Sequence, residues 1–224
     1  MPIVFVHGLF PAIYDPPPGW LCPDLPGYGA RAAQDASLPA AVDLIRYLCV
    51  EPAHIVGHSI GGAIAVLLAA QYPSCVASVI NVEGNFTLKD AFWSLRLVEM
   101  NDAEAAQSYT DPVAWLTGAG VPVTPTGLAI AQRSLATPVR TIQSMARSVV
   151  EITSRPQYLD QVREVLDRGT PVHLIAGEHS LAGWDVPDFV RARAASFRVQ
   201  PAAGHMLMMN GQRAFAELVE AAIS

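Results

Sequence analysis

The stretch that decides the fold is "AHIVGHSIGGAIAVLLAA", Ala53 to Ala70. Ala53 to Val56 reads as a short buried strand, and Ala63 to Ala70 as an Ala/Leu-rich run that suits a buried helix. Between them the chain must turn sharply, and the turn carries one hydroxyl, Ser59, flanked by Gly57 and Gly61. Glycine two positions either side removes the Cβ atoms that would collide with neighbouring chain, so a residue between them can be held at strained φ/ψ. Such a turn leaves the Ser59 Oγ open above the helix N-terminus, whose unpaired N–H groups and positive dipole suit an oxyanion forming beside it. Two other readings compete. One is a plain structural turn. The other is a G-x-x-x-G-G cradle for a dinucleotide pyrophosphate. Against the cradle, the second and third glycines are adjacent, no acidic residue closes a following strand at the usual distance, and the turn comes third along the chain rather than first.

Outward from this stretch, 224 residues suit one sizeable domain with a well-buried core. The net charge of −6, with no Lys/Arg cluster, argues against nucleic acid and anionic membrane surfaces as partners. The Ala63 to Ala70 run is far too short to span a bilayer. "MPIVFVHG" has no basic region and no cleavage site and leads straight into a strand-like run, so no signal peptide is expected. Cys22, Cys49 and Cys75 have no metal-like spacing, and their odd number fits reduced thiols in a cytoplasm.

Apolar, β-branched runs recur at Ile3–Val6, Trp20–Leu25, His54–Val56, Val76–Val82, Val172–Ala176 and Phe197–Val199. Helical patterns lie at Leu38–Leu48, Gly61–Gln71, Tyr158–Arg168 and Arg213–Ile223. This alternation predicts an α/β fold with an open, mostly parallel sheet covered on both faces, in which ligands bind beyond the carboxyl ends of the strands. The span 85–155 breaks the rhythm. It holds the helical pattern "LKDAFWSLRLVEM", the Gly/Pro-rich "TGAGVPVTPTG", and "TPVRTIQSMARSVVEI", where Thr137 is the expected N-cap and Pro138 the first helical residue. The economical division is a core of residues 1–84 and 156–224 with a helical cap inserted at 85–155.

A serine nucleophile needs a general base and an acid to orient it. Of six histidines, His205 in "QPAAGHMLMM" lies in a loop just after the last strand, at the sheet edge that carries Ser59. His7, in "VFVHGLF", is expected to brace its loop. Gly8 there lets the backbone approach the turn, so the Leu9 N–H can join the Ile60 N–H in an oxyanion hole. His54 and His173 sit within strands and read as core, His58 reads as packing or turn-bracing, and His179 is the rival base.

With these residues in view, the sequence resembles the α/β-hydrolase superfamily along nearly its whole length. The resemblance rests on "VFVHG", "CPDLPGYG", "HIVGHSIGG" and "PAAGHMLMM" occurring in that order. It implies Ser59 as nucleophile, His205 as base, Leu9 and Ile60 as oxyanion donors, and a structural turn shaped by Asp24, Gly27 and Gly29. Many members carry the triad acid after the penultimate strand, where "LIAGEHS" offers Ser180, and a serine cannot supply the charge that stabilises an imidazolium. Some members, certain haloalkane dehalogenases among them, keep the acid one strand earlier, where this chain has Glu83 in "SVINVEGNF". Asp185 and Glu178 are the rivals. Members also usually open with two further strands, so about six strands are expected here rather than eight. Trp20–Leu25 then becomes an edge strand blunted by Pro23 and open to a homodimer contact. The connection Leu9 to Gly19 is short, and "DPPPG" forbids a helix in most of it.

The implied activity is a serine hydrolase that cleaves a small, hydrophobic carboxylic ester through an acyl-enzyme, with no metal or organic cofactor. The alternatives are a non-catalytic or regulatory ligand-binding protein on the same fold, or another superfamily chemistry such as a C–C hydrolase, lactonase, perhydrolase-type haloperoxidase or hydroxynitrile lyase. Ser rather than Asp at position 59 argues against dehalogenase and epoxide-hydrolase chemistry, which needs a carboxylate nucleophile.

Overall fold

The structure, a computed structural model, describes residues 1–11 and 16–224. The part of the Leu9 to Gly19 connection at 12–15, with the first residue of "DPPPG", lies outside the described residues.

Short apolar runs pair into one six-stranded sheet in the order β2-β1-β3-β4-β5-β6. The strands are β1 (Ile3–Val6), β2 (Trp20–Leu21), β3 (Ala53–His58), β4 (Val76–Val82), β5 (Val172–Gly177) and β6 (Ser196–Gln200). Every neighbouring pair is parallel. The chain steps from β1 outward to β2, then back past β1 to β3 and on in one direction. Right-handed crossovers therefore place the helices α1 (Leu38–Leu48), α2 (Ile60–Gln71) and α8 (Pro156–Asp167) on one face. The helix α11 (Gln212–Ile223) covers the other face, its Phe215 edge-on to Phe5 and Trp20. The reversal between β1 and β3 is the topological switch point, where an open parallel sheet presents a crevice beyond its strand ends.

The edge strand is shorter than expected. β2 stops at Leu21 because Pro23 has no N–H to give the ladder and restricts Cys22 before it. The "DLPGYG" turn forms as expected. Asp24 Oδ2 accepts the Ala30 N–H at 2.9 Å, with Gly27 and Gly29 at positive φ. His54 and His173 are buried strand residues, each bonded through Nδ1 to a neighbouring serine, Ser78 and Ser196.

Between β4 and α8 the chain forms α3 (Phe92–Glu99), α4 (Asp102–Ser108), α5 (Pro112–Gly118), α6 (Pro125–Leu135) and α7 (Val139–Thr153). Three of these starts are written in short polar caps: Asn101 with Glu104 for α4, Asp111 for α5 and Thr124 for α6. The expected cap of α7 is off by one residue. Pro138 itself is the N-cap, its ψ of 133° still extended, and its carbonyl accepts from Thr141 and Ile142. The buried side of α7 is tied to the chain ahead of and into α1. Leu38 N–H donates to Ser148 Oγ at 2.9 Å, Ser144 Oγ to Ala36 O at 2.9 Å, and Thr141 Oγ1 to Gly27 O at 3.2 Å. Two short helices, α9 (Asp188–Arg191) and α10 (Leu207–Asn210), complete the chain. Among the described residues no helix is long and apolar enough to cross a membrane, and no group of three or more His, Cys, Asp or Glu stands close enough to hold a metal ion.

Candidate active site

β3 ends and α2 begins with Ser59 between them at φ 54°, ψ −121°, a conformation an L-residue adopts only under constraint. The constraint is visible on both sides. A Cβ on Gly57 would stand 2.2 Å from Gly61 O, and one on Gly61 would stand 2.1 Å from Val6 O. The two glycines thus allow α2 to start hard against β1 and β3. Ser59 occupies the N-cap position, yet its side chain makes no cap hydrogen bond. Its backbone is held by N–H donation to Val82 O at 3.0 Å and by N–H groups of Gly62 and Asn85 donating to its carbonyl. The hydroxyl is consequently presented rather than spent on capping.

Gly8 brings the loop after β1 against this turn. A Cβ there would come within 3.1 Å of Ser59 Cβ and 2.9 Å of His58 Nδ1. Leu9 follows it and lines the same narrow cleft as Ser59, together with Asn85, Asp90, Trp93 and His205. Ile60 is the first residue of α2, so its N–H is one of the helix's unpaired donors. Leu9 and Ile60 thus reach the neighbourhood of Ser59 from two different elements.

His205 leaves the loop after β6 and meets Glu83, which leaves the end of β4. His205 Nδ1 lies 2.7 Å from Glu83 Oε2. With Nδ1–H donating there, Nε2 is left as an acceptor. Glu83 Oε1 accepts the Gly177 N–H and the Ser180 hydroxyl, both at 2.6 Å. Burial alone would push the Glu83 carboxyl up. The bond and charge of His205, with the donors Ser180 and Gly177, outweigh it and hold the group below the usual glutamate value. Glu83 is itself at positive φ, 43°, so its turn aims the side chain under conformational constraint. The rival acids are engaged elsewhere: Asp185 accepts from Thr87 Oγ1 and Lys89 Nζ, and Glu178 from Ala202 N–H. The rival base His179 is exposed and does not line the cleft of Ser59.

Two histidines brace the site as neutral rings. His7 Nδ1–H donates to Gly8 O at 2.7 Å and its Nε2 accepts the Leu25 N–H at 3.3 Å. Burial lowers its pKa to about 4. His58 does more than brace its own turn: its Nε2–H donates to the backbone carbonyl of His205 at 2.9 Å, tying the His205 loop to the end of β3. Burial, and next the nearby His205, lower its pKa to about 3. The His205 ring packs against His58 at 4.8 Å between centroids and against Trp93 at 5.7 Å.

Several of these partners were not read from the sequence. In the sequence Ser180 is only the residue standing where an acid is expected, whereas in the structure its hydroxyl donates to Glu83. Asp90 falls in the cleft wall because its carboxylate accepts the N–H groups of Phe86, Thr87 and Asp185 and so fixes the loop that leads into α3. Tyr158, from α8, donates to Asn85 O at 2.6 Å, a contact across 73 residues that no local pattern announces.

The alpha/beta hydrolase family model matches residues 3–221. Among curated proteins, the magnesium-chelatase 30 kDa subunit of Rhodobacter capsulatus is 26% identical over 179 residues, covering 77% of this chain and 55% of that protein. An uncharacterized protein of Mycobacterium tuberculosis is 34% identical over 86 residues, 36% of this chain and 25% of its own. The chain thus spans about half, or less, of the length of these relatives. Among solved structures, a carboxylesterase study of Nitrososphaera gargenis supplies a chain with TM-score 0.71 at 17% identity, covering 99% of this chain and 89% of that one. A Klebsiella pneumoniae protein described as an epoxide hydrolase gives 0.68 at 19% identity, with 99% and 89% covered. At these identities the likeness to solved structures is one of fold, whereas the family match runs through every strand and both ends of the site: the chain belongs to the alpha/beta hydrolase family.

Proposed function

We propose that this family member is a serine hydrolase of carboxylic esters, with Ser59 as nucleophile, His205 as general base and Glu83 as the orienting acid. The observation that carries the reading is the 2.7 Å contact between His205 Nδ1 and a carboxylate made by a residue from β4, in the cleft that also holds a strained, uncapped serine. In the reaction Ser59 Oγ attacks the acyl carbonyl while its proton passes to His205 Nε2. Glu83 holds Nδ1–H and stabilises the imidazolium, and the carbonyl oxygen gathers charge against the Leu9 and Ile60 N–H groups. The alcohol leaves with the proton from His205, and water, deprotonated by the same ring, then releases the acid and restores Ser59. Residues 85–155 act as the cap, Phe92, Trp93 and Ser94 from α3 supplying one wall of the cleft. Ser180 in place of an acid favours a non-catalytic protein; the Glu83 carboxylate against His205 supports the catalytic reading.

The test is hydrolysis of p-nitrophenyl acetate together with labelling by a fluorophosphonate. Wild type turns over the ester and is labelled on Ser59, and Ser59→Ala does neither. Turnover that survives Ser59→Ala overturns the assignment.

A further inference from the structure

Two hollows meet at His205, and they differ in size. The one that contains Ser59 and Leu9 has free space of about 10 Å³, enough for a group the size of one water or methyl. The other, of about 320 Å³, is walled by Phe92, Trp184, Gly183 and Ser180 and does not reach Ser59. Asp90, Phe92 and His205 line both, so the two adjoin at His205 with these side chains between them. Chemistry assigns their occupants. In acyl transfer the general base must hand its proton to the departing alcohol, so the alcohol lies on the His205 side. The acyl group stays with the serine and the oxyanion donors.

We infer that this site takes esters of a very short acyl group, acetyl in size, on a bulky, uncharged aromatic alcohol. The inference rests on the serine-hydrolase reading above and names its substrate class. A volume of about 320 Å³ is at the lower end of the range that buries a small organic ligand. Its walls pair aromatic faces, Trp184 and Phe92, with the carboxylates of Glu83 and Asp90 and the imidazoles of His179 and His205, and no lysine or arginine lines it among the described residues. Those walls disfavour an anionic alcohol. The small hollow sets the acyl limit, because its free space, lined by Leu9, Phe92 and Trp93, holds no more than about one methyl.

The test uses two substrate series on the intact chain. With p-nitrophenol as the common leaving group, kcat/KM is expected to fall at least about tenfold from acetate to hexanoate. A profile that is flat, or that rises with acyl length, overturns the inference while leaving the nucleophile intact. The second series compares 1-naphthyl acetate with ethyl acetate in wild type and in Gly183→Phe. Gly183 lines the larger hollow, and a Cβ there meets no atom within 4 Å, so a phenylalanine is tolerated at its wall. The kcat/KM ratio of naphthyl to ethyl ester should drop at least about tenfold, and because it is a ratio the folded fraction cancels. An unchanged ratio contradicts the assignment of that hollow. Failure of all four esters, with no fluorophosphonate label on Ser59, removes the underlying hydrolase reading and this inference with it.

Discussion

Ser180 Oγ donates to Glu83 Oε1 at 2.6 Å. The residue standing at the end of β5, where a triad acid would come from that strand, thus supports a carboxylate that comes from the end of β4. Ser180 is one of the donors that, after His205, hold that carboxylate below the usual glutamate range.

The two positions can be exchanged by substitution. Ser180→Asp in an otherwise unaltered chain puts two carboxylates against each other and lowers activity, since neighbouring like charges cannot both ionise cheaply. Combined with Glu83→Gln, the same Ser180→Asp change restores an acid to the site. It should recover at least about tenfold of the kcat lost in Glu83→Gln alone. Steady-state kinetics on the two singles and the double variant measure the coupling directly.

His7 and His58 make stability acid-sensitive. Both stay neutral in the folded chain, with pKa values of about 4 and about 3, while unfolded histidine titrates near ~6.5. As pH falls below that value the unfolded state takes up the protons, so the stabilisation is full above it. It is lost progressively until the folded pKa is reached, at about 1.4 kcal/mol per pH unit for each group. His54 and His173, lowered first by burial, act in the same direction. Urea unfolding at pH 7.5 and 5 should show this loss, and His58→Asn should reduce the slope between them. Equal stability at the two pH values contradicts the assignment of neutral rings.

Gly57→Ala should be severely destabilising. The added methyl would stand 2.2 Å from Gly61 O and 2.7 Å from Gly62 N, backbone atoms of the first turn of α2 that cannot swing aside. A loss of more than about 3 kcal/mol is expected, read as a lower Tm together with loss of fluorophosphonate labelling. Gly183→Ala, with open space around it, serves as the contrasting glycine change and should leave the Tm within a degree or two.

Asp185→Asn should change kcat less than about threefold, because an exposed ion pair contributes little. The Asp185 side chain is 36% exposed, paired with Lys89 and bonded to Thr87 rather than to the base. A loss of orders of magnitude in this variant would move the acid away from Glu83.

The parts of the site that were legible in the sequence are those fixed by local rules. Ser59 stands out because Gly57 and Gly61 dictate the turn, and the edge position of β2 follows from the resemblance's strand order, with which Pro23 is compatible. Glu83 is legible only through the resemblance, in which some members keep the acid one strand earlier, and Asp185 and Glu178 stay open beside it in the sequence. The hydrogen bonds that complete the site join distant segments: Ser180 to Glu83 across 97 residues, and His58 to His205 across 147. No periodicity encodes such contacts; they exist because parallel strands end at one edge of the sheet. The same limit explains α7, whose Thr141, Ser144 and Ser148 look like ordinary polar helix residues until their acceptors and donor in 27–38 are seen.

The central claim is that the carboxylate orienting His205 is Glu83, and kcat/KM for p-nitrophenyl acetate in Glu83→Gln tests it most directly. Glutamine preserves the size and can still accept from Ser180, but it cannot stabilise an imidazolium. The account predicts a fall of roughly 10³ to 10⁴ with Ser59 still present and the fold intact by circular dichroism. Activity within a few-fold of wild type would contradict it.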